Sequence, residues 1–308
     1  MKSSKIAVIG GIYRDFQIFV EEIPKENEAK VVEKINMNTG GKVVNASIIM
    51  SRLGNEVFYL AKVGNDDSGK EAIEFLKKEG VNSNYILQDK DENTGQVIFM
   101  TNKNGKSGFA VYHGANNKLT KSEVVSFVSE ISQKKAQYIY TSTSLPLDIL
   151  QAVLENAEKV QIPVFLDVPN KQKEIDPAMF SKLEFLAPNQ FEASLLTGIK
   201  IENELDAVGV ASWLREKGAN NILITMGDKG VVIFMKGWSE PKHFEVEAKK
   251  EVDGAAAGDV FRGAFLSEVL KGKEIDEAVR FSSRLAGLTA SRKGAYASIP
   301  TREEIAKI

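Results

Sequence analysis

The chain has 308 residues, with 40 basic and 42 acidic side chains, 43% apolar residues, two histidines and no cysteine. A formal net charge of −2 argues against nucleic-acid binding by counter-ion release, and the lack of cysteine excludes disulfides, thiolate metal sites and a cysteine nucleophile. No apolar run approaches the roughly 18 residues of a membrane span. The start, MKSSKIAVIGGIYRD, lacks a signal peptide's apolar core and cleavage site, so a cytoplasmic protein is expected. With only His113 and His243 available, catalysis must rest on carboxylates, lysines, arginines, hydroxyls or backbone amides.

Lys5 to Gly10 is a short apolar run ending in Gly-Gly, which predicts a buried strand and a tight turn. Partly alternating segments follow at 16–23 and 31–37. Gly40-Gly41 opens a helix over 43–53, and 57–63 predicts another strand. Ser68 is the expected cap of the next helix, which Gly80 stops. Segments 95–100 and 108–112 read as a hairpin around Asn104-Gly105. From about residue 120 helices (121–133, 147–160, 190–197, 204–217) alternate with strands (137–141, 163–167, 221–225). That alternation predicts a doubly wound, mostly parallel α/β sheet with helices on both faces. Segments 231–235 and 243–246 read as a closing antiparallel pair, followed by helices at 258–271 and 276–290. The segments outside the alternation predict a small β-sheet lid, from about 14–38 and 93–113, on a single domain spanning 1–308.

The chemistry concentrates in Val252 to Phe265, VDGAAAGDVFRGAF. Small residues from Gly254 to Gly258 let backbone N–H groups approach a ligand closely, and the start of a helix favours an anion. Asp259 sits among them. It is either a helix cap or the base that takes a proton from a hydroxyl attacking phosphorus. Asn189 and Glu192 follow the apolar run Phe185 to Ala187. There Glu192 could hold Mg²⁺ through water, or the pair could simply cap a helix. Leu223 to Gly230 runs from a strand into a glycine turn.

In this order the segments resemble the ribokinase-like (PfkB-type) carbohydrate kinases, from Ile6 to about Thr301. The family's D-T-x-(G/A)-A-G-D, with the phenylalanine and glycine that follow it, stands as Asp253 to Gly263. Its N-x-x-E stands as Asn189 to Glu192, its T-x-G as Thr225 to Gly227, and its G-G-K-x-x-N as Gly40 to Asn45. Its substrate aspartate is Asp15. The resemblance implies an ATP-dependent phosphorylation of a primary hydroxyl of a small sugar or sugar derivative. Asp259 would be the base and the amides of Ala256, Ala257 and Gly258 an anion hole. Asp15, Gly41, Lys42 and Asn45 would hold the sugar. Asn189 and Glu192 would order Mg²⁺ and phosphates, and Thr225 and Gly227 would contact ATP. Asp253, with carbonyls near Gly294 and Ser298, resembles a monovalent-cation site for K⁺. A lid of this kind implies a homodimer. A nucleoside kinase of the same fold, of pseudouridine or adenosine type, is the alternative; a silent sugar-binding protein is a more remote one.

The sequence departs from ribokinase at several points. Arg14 precedes the aspartate, Val43-Val44 replace Gly-Ala, Gly254-Ala255 replace two threonines, and only hydroxyls occupy Thr141 to Ser144 where ribokinase has a sugar-binding glutamate. Asp167, Asn170 and Lys171 resemble the D-x-N-x-R run of fructokinases and ketodeoxygluconate kinases, with shifted spacing. Arg14, Val43-Val44 and the Thr141 to Ser144 hydroxyls predict a preferred acceptor other than ribose, while Gly254-Ala255 remove two hydroxyls near the expected K⁺ site.

Overall fold

The computed structural model describes residues 3–104, 107–168, 175–246 and 251–308; Asn170 and Lys171 lie outside them. The N-terminal third forms β1 (Lys5–Ile9), β2 (Tyr13–Val20), β3 (Val32–Gly40), α1 (Lys42–Arg52), β4 (Glu56–Gly64), α2 (Asp67–Lys78), β5 (Ile86–Asp89), β6 (Gly95–Asn102) and β7 (Ser107–Tyr112). Then come α3 (Lys121–Gln133), β8 (Tyr138–Ser142), α4 (Leu147–Lys159), β9 (Val164–Asp167), β10 (Phe185–Ala187) and α5 (Gln190–Thr197). The remainder is α6 (Glu204–Glu216), β11 (Asn221–Thr225), β12 (Val231–Phe234), β13 (Lys242–Phe244), α7 (Ala257–Leu270), α8 (Ile275–Ala290) and α9 (Arg302–Ile305).

Nine strands form one sheet in the order β13-β12-β11-β10-β9-β8-β1-β4-β5. Every pairing is parallel except those of β12. Side chains alternate across each strand. Ile6 and Val8 therefore join one core with Val44 and Ile48 of α1 and Phe265 of α7. Ala7 and Ile9 join the other, with Phe127 of α3, Leu150 of α4 and Val210 of α6. Both faces are covered, which explains the near-continuous apolar runs. Strand β1 lies between β4 and β8, so the chain winds outward in both directions from it. In such sheets ligands gather beyond the carboxyl ends of the strands at this reversal.

The four other strands form the lid, in the order β3-β2-β6-β7. Two details differ from the sequence reading. The cap of α2 is Asp66, whose side chain accepts from Gly69 N, while Ser68 lies within the helix. A carboxylate outcompetes a hydroxyl here because it also accepts from Thr94 N and Oγ1. The edge strand β5 was not anticipated: its ILQD is too short to carry a period, and pairing to β4 defines it.

Candidate active site

Lys42, Asn189, Thr225, Gly227, Ala257, Gly258 and Asp259, all predicted from sequence, line one cavity beside the first turn of α7. Ala256 occupies the N-cap position of α7, in left-handed conformation (φ 64°), and no side chain caps the helix. Asp259 is thus not a cap. Its Oδ2 accepts from Asn45 Nδ2 of α1 at 2.9 Å, and its Oδ1 lies 3.3 Å from Arg262 Nη2. It is 6% exposed. Burial pushes its carboxyl up to about 6, against the opposing pull of Arg262 and with the like charge of Asp167 adding to the rise.

Of the three amides expected to form an anion hole, that of Ala257 already donates within the turn to Gly254 O. Those of Ala256 and Gly258 have no acceptor among the described residues. Donors left open at a helix start are what an anion requires.

Asn189 and Glu192 form a reciprocal capping box at α5. Asn189 Oδ1 accepts from Glu192 N at 2.8 Å, and Glu192 Oε2 accepts from Asn189 N at 2.7 Å. Glu192 is buried, however, and its Oε1 receives Lys42 Nζ. Lys42, expected at the sugar, is therefore placed against Glu192, with Asp167 Oδ1 3.9 Å away. Thr225 ends β11 and Gly227 turns the chain with φ 62°. A cavity of about 350 Å³ joins Thr225, Gly227, Asn189, Lys42, Asp259 and Arg262.

On the lid side, Asp15 of β2 packs over Gly40, where a Cβ would lie 1.8 Å from Asp15 Oδ2. Burial raises the Asp15 carboxyl to about 7. Gly41, with φ 119°, is the N-cap of α1, so Gly41, Lys42 and Asn45 share one helix start. The cation Arg14 is bound to Glu71 of α2 at 2.6 Å. Val43 and Val44 are buried in the core, Val43 against Gly10. Asp253 ties two loops together, its Oδ1 accepting from Ala255 N and its Oδ2 from Gly294 N.

Sequence reasoning missed Arg262 and the role of Asp167. Arg262 is 2% exposed, and its Nη2 lies 3.1 Å from Asp167 Oδ1. Asp167 is fully buried at the end of β9 and accepts from Tyr140 Oη at 3.1 Å. The available signal was an arginine on the helix between Phe261 and Gly263, a stretch otherwise small or apolar.

The family model for pfkB family carbohydrate kinases matches residues 3–302. The chain belongs to this family. The PfkB kinases similar to it include a ribokinase from Haemophilus influenzae, 32% identical over 97% of this chain and 96% of that protein. A deoxyribokinase from Salmonella typhi is 27% identical over 97% and 96%. The structure of Arabidopsis thaliana ribokinase complexed with ribose and ATP superposes with a TM-score of 0.89, at 27% identity, over 99% of this chain and 98% of that one. The ribokinase of Thermotoga maritima gives 0.86 at 29% identity, over 98% of both. The fold is therefore ribokinase-like, and the chain is an ATP-dependent carbohydrate kinase. No helix among the described residues is long and apolar enough to cross a membrane.

Proposed function

We propose that this kinase transfers the γ-phosphoryl group of ATP to the primary hydroxyl of a pentose, ribose or 2-deoxyribose. The observation that carries the reaction is Asp259: a buried carboxylate, held at both oxygens, beside the open amides of a helix start. Asp15, Gly41 and Asn45 hold the sugar hydroxyls. Asp259 accepts the hydroxyl proton while the sugar oxygen bonds to phosphorus and the bond to the departing ADP oxygen breaks. The amides of Ala256 and Gly258, with Lys42, meet the negative charge on the transferred group. Thr225 and Gly227 hold the nucleotide.

The choice of a pentose follows the names of the relatives, ribokinase and deoxyribokinase. Two of the sequence features weighed against ribose are engaged elsewhere: Arg14 is neutralised by Glu71, and Val43-Val44 are packed in the core. The hydroxyls of Thr141 to Ser144 are the third. Thr143 Oγ1 is buried without a partner among the described residues, which suits a polar group of the acceptor.

The described residues hold no cluster of three or more acidic or histidine side chains able to cage a metal. In this reading Mg²⁺ would be held chiefly by the polyphosphate it neutralises, with Glu192 reaching it through water, and would lower the repulsion between the phosphates and the attacking oxygen. A K⁺ beside the Asp253 carboxylate would draw on carbonyl oxygens of the Gly294 segment, which Asp253 holds close by accepting from Gly294 N.

The enzyme acts as a cytoplasmic homodimer. Phe16, Ile18, Ile35, Met37, Ile98 and Met100 are cross-strand neighbours in the lid. Ile35 and Met37 are about half exposed, and an apolar surface of this kind fits a second copy of itself. The deciding experiment for function is substrate-dependent ADP release over ribose, 2-deoxyribose, hexoses, sugar acids and nucleosides. Ribose or 2-deoxyribose should give the highest kcat/KM; a nucleoside ahead by tenfold would replace this reading with the nucleoside-kinase one.

A further inference from the structure

Arg262 is a buried arginine beside the base, and the reaction as described gives it no part. Side chains on a helix lean back toward its start. Arg262, one turn into α7, therefore returns to the first turn, where its Nη1 lies 3.3 Å from the place a Cβ on Gly258 would occupy. Its Nη2 reaches two carboxylates, Asp167 Oδ1 at 3.1 Å and Asp259 Oδ1 at 3.3 Å. Asn45 holds the other oxygen of Asp259. The base is clamped between α1 and α7, and one side of the clamp is itself anchored to β9.

Other charges face this point from the neighbouring elements: Lys42 from α1, Glu192 from α5 and the Tyr140 hydroxyl from β8. Three carboxylates stand against two cations, leaving one negative charge in excess in a buried site. Such an excess favours the uptake of one proton. The Arg262–Asp167 pair remains balanced before and after Asp259 takes it.

We propose that Arg262 is a positioning residue for phosphoryl transfer, fixing the Asp259 carboxylate, and that Asp167 shares the guanidinium and so sets how strongly it holds the base. The proposal rests on Asp259 being the base. Its signature is a pair of opposite effects. Removing Arg262 removes an attraction on ionised Asp259, whereas removing the Asp167 charge removes a repulsion and leaves Arg262 to Asp259 alone.

The test is the pH profile of kcat/KM for the wild type, Arg262→Gln, Arg262→Lys and Asp167→Asn. Arg262→Gln should lower kcat by roughly 10- to 100-fold and move the acidic limb up by about one pH unit. Asp167→Asn should move the limb down, and Arg262→Lys should restore part of kcat with the limb near its wild-type position. If Arg262→Gln does not fold, the downward shift in Asp167→Asn and the limb of Arg262→Lys carry the test. Limbs that stay in place, or that move in the same direction, would overturn the inference while leaving the base intact. Wild-type turnover in Asp259→Asn would instead remove the base itself.

Discussion

Asn45 Nδ2 donates to Asp259 Oδ2 at 2.9 Å, joining the first turns of α1 and α7. One bond thus links the helix that begins at Gly41 to the helix that begins at Ala256. Asp259→Asn keeps the shape and removes the proposed proton acceptor. We expect kcat to fall by roughly 10²- to 10⁴-fold, with binding of a non-hydrolysable ATP analogue little changed by calorimetry. A wild-type kcat would reduce Asp259 to a packing role.

Asp15, proposed to hold the sugar, also bears on stability. Its carboxyl is raised by burial from 3.8 to about 7. For a group raised on folding, the stabilising contribution is complete below the unfolded value and is lost as pH rises through the folded one. In the absence of sugar, the ionised carboxylate therefore destabilises the protein above pH 7, by up to about 4 kcal/mol. Asp15→Asn should melt at a higher temperature than wild type at pH 8, and the two should converge toward pH 4. A difference independent of pH would contradict the assignment. The same variant should bind sugar poorly, since one of the two oxygens proposed to accept from sugar hydroxyls becomes an N–H donor and the charge is lost.

The sequence was informative where structure is local. The alternation from residue 120 onward pointed to the doubly wound sheet because each strand is apolar on both faces and each helix on one. The capping box of Asn189 and Glu192 is a spacing of three residues, legible before any fold. Partners distant in sequence were not legible. That Lys42 meets Glu192, Arg14 meets Glu71 and Arg262 meets Asp167 depends on which strand ends become neighbours. Spacing also left open whether Asp259 caps α7. The backbone decided it by placing Ala256, with φ 64°, at the cap position.

The lid offers a test of assembly. Cross-strand pairs place Met37 beside Phe16 and Ile35 beside Ile18, with Ile98 and Met100 beyond them. Sedimentation at micromolar concentration should give a dimer for the wild type and a monomer for Ile35→Lys combined with Met37→Lys. Both positions are exposed on the lid, so the fold should survive two lysines there. A monomeric wild type, or a dimeric double variant, would rule out this face.

Glutamate 192 tests the phosphate side. Glu192→Gln keeps the capping geometry but removes the charge that faces Lys42 and that is proposed to reach Mg²⁺ through water. The Mg²⁺ concentration giving half-maximal rate should rise several-fold, and kcat should fall by roughly tenfold or more. An unchanged Mg²⁺ dependence would confine Glu192 to its cap.

Gly263 shows how the packing of two helices sets the chemistry. It lies in α7 where the helix meets α1, and a Cβ there would fall 2.6 Å from Ile49 Cγ2 and 2.9 Å from the Ala46 carbonyl oxygen. The second contact is backbone, so the helices themselves would have to separate. Such overpacking costs about 1–3 kcal/mol. Ala46 adjoins Asn45, so separation would also lengthen the bond to Asp259. Gly263→Ala should therefore lower Tm by a few degrees and reduce kcat more than it changes the KM for ATP. Gly209 in α6 is the control: a Cβ there would meet no atom within 4 Å, and the residue lies inside the helix without a positive φ. Gly209→Ala should instead stabilise the protein, by up to about 1 kcal/mol through helix propensity, with kcat unchanged. The same substitution, in two helices of one molecule, is expected to change stability in opposite directions. Equal effects at the two positions would show that close helix contact is not what Gly263 provides.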